Sequence, residues 1–446
     1  MFKKRFIAIG IILSATSLAG CSAGTVGGAG TVGGEGSGKG TVKMVSWPGP
    51  EGDAMAKVVK AYNAGQGKKD GITVDMVLLS RQDTFSKETA LMSSKSSNMD
   101  VYWTASYNIG QFSPSLDALD GIDTSNYFPV AVNGLTYKNK LYALPLDVSN
   151  HFLLYRKDLI AKLLNEPVQR AEYAKVSQAV LGTAREPKDP QSGWDLGDFK
   201  VMSAYFSQSD NPNSPTQYGT ILQAKNLLYN TMVWNDILWG YGGNWAKDGK
   251  ATIDSVAGKE AVQLYADIYK NKWTSPDSSE AEFPETQAAL QSGHVAFAIQ
   301  WSAAFAALND PKQSPGVAGK MAIAAVPGGK THVHALSNSL NKYSTNKAAA
   351  KKWLSYLATP AAMTQYALAG GIPAMPKVLA AEKLINPAFP QVSESIAKYG
   401  YSEPVFPKAF QAYSKLAADL SGAWVGQTPV DDAVKTANSD LQQLLG

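Results

Sequence analysis

The chain of 446 residues has one cysteine, Cys21, and four histidines, His151, His294, His332 and His334. A single cysteine excludes an internal disulfide framework. With so few histidines and no GxSxG string, a serine triad has little to be built from. His332 and His334 stand two apart, which on a strand puts them on one face, yet two ligands do not make a metal site. Long apolar runs are scarce too: Phe6 to Ala15 is too short to span a bilayer and no second long run follows. Nor does one charge dominate. The chain carries 41 Lys and Arg against 37 Asp and Glu, and Lys3, Lys4 and Arg5 account for three of the cations. A remainder so close to neutral argues against nucleic acid as a partner.

The basic start and the apolar run read as an export signal over residues 1–20. The string Leu18-Ala19-Gly20-Cys21 resembles the lipobox of bacterial lipoproteins, in which the signal is removed and the cysteine becomes the acylated first residue. An ordinary cleavage site would leave an idle thiol on an exported protein; acylation accounts for both the position and the solitude of Cys21. Residues 22–40 are mostly Gly, Ser, Thr and Ala, too poor in apolar side chains to offset their ordering entropy. Such a tether has a reach of roughly 24 Å. Gly28, Gly30 and Gly33 match the dinucleotide pattern GxGxxG, but they sit in a near-repeat after the lipobox rather than between a strand and a helix. No nucleotide, and no other cofactor, is expected.

From residue 41 the patterns become those of a folded body. TVKMVSW (41–47), ITVDMVLL (72–79) and MDVYW (99–103) read as strands, separated by a helix that Asp53 caps, with Met55, Val58, Val59 and Tyr62 inward, and by a second helix over Ser86–Ser94. That alternation predicts a parallel sheet flanked by helices, with ligands bound beyond the carboxyl ends of the strands. Residues 346–360 read as a helix closed by Pro360, and VAFAIQWS and MAIAAVPGG as further strands. By themselves these patterns give an exported two-domain α/β protein.

LYALPLDVSNHFLLYRKDLI (141–160) resembles the crossover segment of the solute-binding proteins of sugar ABC transporters, the maltose and trehalose binder group. WNDILWGYGGNW (234–245), HVAFAIQWSAAF (294–305), NPNSPTQYG (211–219) and AGGIPAMPKV (369–378) resemble further segments of the same family in the same order. The resemblance implies a two-lobed periplasmic-binding-protein-like fold, each lobe a mostly parallel sheet flanked by helices. The first lobe would comprise 41–150 plus 298–336 and the second 151–297 plus 337–446, with hinges near Ser149, Ile299 and Ser337. It implies a non-enzymatic monomer outside the cytoplasm, anchored by lipid to the outer face of the cytoplasmic membrane or in the periplasm. The protein would capture a carbohydrate in the cleft and deliver it to an ABC permease.

A sugar offers an apolar C–H face to flat aromatic rings and a rim of hydroxyls to fixed polar groups. Trp47, Trp103, Trp239 and Trp301 are candidates for the first task, with Trp234 turned inward when Trp239 faces the cleft. Gln82, Asp83, Asp147, Ser149, Asn235 and Asn244 are candidates for the second. The resemblance adds Gly371 and Met375, and puts the stacking tryptophan at Trp301. The chain departs from the family pattern at Ala105 in place of Asp, Leu336 in place of Trp and Met375 in place of Arg; Ser149 and His151 stand in the crossover segment to compensate. Two rivals remain: a secreted glycoside-active enzyme using Glu280, Glu282 or Glu285, a run that otherwise reads as a solvated helix start, and a binder of a polyol or metal. Cys21→Ala is expected to abolish fatty-acid labelling and release the protein from the membrane fraction; unchanged labelling would contradict the lipobox reading.

Overall fold

The computed structural model describes residues 34–383 and 386–446, with the side chains of Arg81 and Gln82 excepted. The signal, Cys21 and the first part of the expected tether lie outside the described residues. The longer strands are β1 (Gly40–Ser46), β2 (Ile72–Leu78), β3 (Val101–Ala105), β4 (Leu144–Arg156), β5 (Phe297–Trp301), β6 (Met321–Ala324) and β7 (Thr331–Asn341). They lie in the order β5-β4-β7-β3-β1-β2, with β6 also on β4.

β1, β2 and β3 form the expected parallel unit, with Val42 opposite Val74 and Met44 opposite Val101. In β2, Ile72 and Val74 are buried while Thr73 and Asp75 face out, the period of two that fixes register. The helix Pro50–Ala64 covers this sheet through Met55, Val58, Val59 and Tyr62. It begins earlier than expected, because Pro50 is preset for a first helical position, and Asp53 lies in the first turn instead of capping it. The helix expected over Ser86–Ser94 also begins early, at Arg81, because the Ser80 hydroxyl accepts the Asp83 N–H at 3.1 Å. Pro360 does not close the preceding helix, which ends at Leu357; it opens another, Pro360–Leu368, capped by Thr359.

Beyond β1–β3 the long strands pair antiparallel, a departure from the mostly parallel pairing expected of both lobes. β4 changes partners along its length. Its first half runs against β7, with Leu336 opposite Asp147 and Val333 opposite Asn150. Its second half runs between β5, with Trp301 opposite His151, and β6, with Met321 opposite Arg156. β7 meanwhile continues onto β3, with Leu340 opposite Val101. β5 and β6 pair with residues 151–156, and residues 337–340 pair with β3.

Where β4 and β7 part, side chains replace the ladder. The Thr331 hydroxyl accepts the His151 N–H at 3.0 Å and donates to the His151 carbonyl at 2.9 Å, and Asp236 Oδ1 accepts the His332 N–H at 2.7 Å. Every residue of β7 is buried, so these groups have no recourse to water.

The tether is shorter than expected. The Glu35 carbonyl accepts the Ala348 N–H at 2.7 Å at the start of the helix Lys347–Leu357, and Lys352 Nζ donates to the Gly38 carbonyl at 3.1 Å. Gly36, at a φ of 73°, passes so close to Thr345 that a Cβ would lie 2.8 Å from its carbonyl oxygen. On that helix Trp353 is fully buried, stacked on Tyr356 at 5.8 Å and tilted against Tyr62 at 4.8 Å. Trp353→Ala should cost about 3–5 kcal/mol of unfolding free energy, measured by urea denaturation; a loss under about 1 kcal/mol would contradict this packing.

Candidate functional site

A cavity of about 630 Å³ opens where the long strands part, with Asp147 and Ser149 from β4, Trp301 from β5, and His334 and Leu336 from β7 in its wall. Pro50 and Glu51 contribute from the helix over β1, Tyr229 from the helix Leu228–Gly240, and Glu282 and Phe283 from the start of the helix Phe283–Ser292.

Asp147 is buried at 3% exposure, and its Oδ2 accepts the Tyr366 hydroxyl at 2.9 Å and the Ile372 N–H at 2.8 Å. Burial, reinforced by the nearby Glu51 carboxylate, pushes its pKa up to about 7 against the bonds from Ile372, Tyr366 and Ser149. Gly371 makes this arrangement possible: a Cβ there would stand 2.1 Å from the Tyr366 ring.

Trp301 is half-buried at the cavity wall. Its N–H donates to Gln300 Oε1 at 3.0 Å; that oxygen also accepts Gln223 Nε2 at 3.0 Å, while Gln300 Nε2 donates to the Phe283 carbonyl at 3.0 Å. One carbonyl and one N–H of the main chain thus fix which way both amides face. The Trp301 ring stands edge-on to three histidines, at 4.1 Å and 76° to His151, 6.2 Å and 86° to His332, and 6.2 Å and 79° to His334. Successive imidazoles, His151 to His332 and His332 to His334, lie within 22° of parallel, with Tyr107 stacked beyond His334 and Trp239 on His332. Burial holds the His332 pKa well below the usual imidazole value, so it is neutral at pH 7. Among the described residues, no group of three or more His, Cys, Asp or Glu is arranged to hold a metal ion.

Of the residues expected at a ligand whose side chains are described, Asp147, Ser149 and Trp301 share the cavity wall, and the others are placed elsewhere. Trp103 is core, edge-on to Trp47 at 5.7 Å, and Trp47 is buried with its Nε1 donating to Glu51 at 2.7 Å. Trp234 and Trp239 are both buried, against Trp424 and Tyr401 respectively, so the expected division between inward and cleft-facing fails: the helix is enclosed on every side. Asn235 accepts Trp245 Nε1 at 2.7 Å in the core, and Asn244 is engaged by Tyr401 and the Trp245 N–H. Asp83 is exposed in the helix cap with Ser80; the Gln82 side chain lies outside the described residues. Met375 is buried and precedes the helix Pro376–Ala381, while Gly371 acts behind Asp147. Of the family departures, Ala105 is buried at the end of β3 and Leu336 lines the cavity.

Sequence reasoning missed Gln223, Tyr229, Ser302 and Phe283. Buried Gln223 Oε1 and Ser302 Oγ have no protein partner. Ser302, directly after Trp301, was the findable one. Glu282, weighed as a catalytic candidate, is a helix-start residue whose N–H donates to Glu285 at 3.0 Å, and it also reaches the cavity. A groove of about 420 Å³ lies apart from all of these, between the helices Ala409–Trp424 and Val430–Leu445.

Residues 57–391 match the sequence profile of the bacterial extracellular solute-binding proteins. The chain belongs to that family. A probable ABC transporter-binding protein of Deinococcus radiodurans is 25% identical over 307 residues, which span 65% of this chain and 66% of the relative. The maltose-bound MalE3 of T. maritima superposes with a TM-score of 0.71 at 21% identity, covering 91% of this chain and 99% of that one. The sugar-binding protein MalE of Xanthomonas citri gives 0.73 at 19% identity, covering 91% and 97%. At these identities the likeness fixes the fold, the two-lobed architecture of periplasmic sugar-binding proteins.

In this solute-binding protein Asp147 makes stability depend on pH. Folded, the carboxyl keeps its proton to about pH 7; unfolded, it ionises near 3.9. The folded state then binds the extra proton, so stability falls as pH rises through that window, by at most about 1.4 kcal/mol per unit. Asp147→Asn keeps acceptors for Tyr366 and Ile372 and removes the loss, so the variant should match wild type near pH 4 and be more stable at pH 8, rather than match it throughout. Urea midpoints at both pH values check this; equal pH slopes would contradict it.

Proposed function

We propose that the protein binds a neutral carbohydrate or polyol in the cavity where the long strands part, and delivers it to an ABC permease while anchored outside the cytoplasm through acylated Cys21. The observation that carries the reading is a half-buried indole, Trp301, on a cavity wall that also holds Asp147, Ser149, Tyr229 and Gln223. A flat apolar ring beside several polar groups suits the two faces of a sugar. The maltose bound to MalE3 and the sugar binding named for the Xanthomonas citri protein support the same ligand class. Asp147, held through Oδ2 by Tyr366 and Ile372 and bonded by Ser149, is the buried polar group placed to meet a ligand hydroxyl.

A screen of maltose, trehalose, tagatose and mannitol by thermal shift tests the reading, since a ligand at 100 times its Kd adds about 2.7 kcal/mol of stability. Trp301→Ala should weaken binding of the best ligand by about tenfold or more, Trp301→Phe by less, with the ligand-free melting temperature little changed. No shift with any carbohydrate or polyol, or full affinity in Trp301→Ala, would contradict it. Release of reducing sugar from soluble oligosaccharides would favour the glycosidase instead.

A further inference from the structure

Asp236 lies on the helix Leu228–Gly240, outside the cavity lining, and is fully buried. Its Oδ2 is 2.8 Å from His151 Nδ1 and its Oδ1 accepts the His332 N–H at 2.7 Å. One carboxylate therefore grips both long strands just past their last paired residues, Asn150 and Val333, holding β4 by a side chain and β7 by its backbone. The His151 ring so held is the one in closest contact with Trp301, its register partner on β5.

We infer that Asp236 is a positioning residue for the ligand platform, setting the angle of the Trp301 indole through His151 without touching the ligand. The inference rests on the proposed carbohydrate reading for its consequence, but not for its geometry. A carboxylate facing Nδ1 fixes the tautomer with the proton on that nitrogen and limits rotation of the imidazole. An imidazole that cannot rotate gives the indole a fixed edge to stand on. Gln300 holds the Trp301 main chain, so Asp236 and Gln300 act on different parts of the same residue, the ring and the backbone.

Two variants separate positioning from mere packing. Asp236→Ala leaves the His151 and Trp301 rings in place and removes the carboxylate behind them; Asp236→Asn keeps an acceptor for the His332 N–H and a hydrogen-bonding partner for His151. The protein is labelled with 5-fluorotryptophan, and the Trp301 line in the ¹⁹F spectrum is assigned by its loss in Trp301→Phe. Without any ligand, the Trp301 line should move or broaden in Asp236→Ala while the lines of tryptophans remote from Asp236 hold, and should stay near wild type in Asp236→Asn. For the carbohydrate that stabilises wild type most, Kd should rise about three- to tenfold in Asp236→Ala and little in Asp236→Asn. A Trp301 line unmoved in folded Asp236→Ala, all lines moving together, or a Trp301 line that moves as far in Asp236→Asn would overturn the inference. Absence of any carbohydrate binding would count against the proposed function and leave the spectral test decisive for Asp236.

Discussion

Two long strands that pair and then part must pass their backbone hydrogen bonds to other groups, because both are buried where they separate. Past Asn150 and Val333 those groups are Thr331 and Asp236, beside the new strand partners each half takes up, and the cavity lies over the paired stretch just before, walled by Asp147 and Ser149 opposite Leu336 and His334. Much else follows from this constraint. β4 pairs with β7 before Asn150 and lies between β5 and β6 after it, so Asp147 and Ser149 of the first stretch share the cavity wall with Trp301 of the strand beside the second. The side chains that meet the polar demand, His151 and Asp236 among them, also support Trp301.

The cavity's electrostatics are set by burial rather than by an ion pair. Asp147 is held by a tyrosine hydroxyl and a main-chain N–H, too little to offset the loss of water, so it titrates near neutrality. His332 is kept neutral by the same cause acting on a base. A site of this kind offers hydrogen-bonding groups and ring faces together, a combination fitted to polyhydroxylated ligands.

Local patterns made the first sheet legible. The alternation in ITVDMVL and the helical spacing of Met55, Val58, Val59 and Tyr62 are near-neighbour signals, and errors there were confined to helix starts set by Ser80 and Pro50. The partner exchange of β4 was not legible, because a continuous apolar strand says that it is buried but not against what. The same limit misplaced most of the tryptophans. Trp103, Trp234, Trp239 and Trp301 are chemically alike, and only the long-range packing of helices around the first three separates core from wall. Asp147 and Ser149 could be found because they lie in the crossover string itself. Gln223 and Tyr229 could not, since each reaches the cavity from a segment with no pattern of its own.

The proposed carbohydrate site is the cavity over the last paired residues of β4 and β7, with Trp301 as its platform. A crystal structure with the carbohydrate that gives the largest thermal shift tests it most directly. The expected result is a sugar ring lying flat on the Trp301 indole, with carbon atoms within about 4 Å of it and a hydroxyl at Asp147, Ser149 or Gln223. A ligand seated elsewhere, for instance in the groove between the helices Ala409–Trp424 and Val430–Leu445, with the face of Trp301 uncovered, would contradict it.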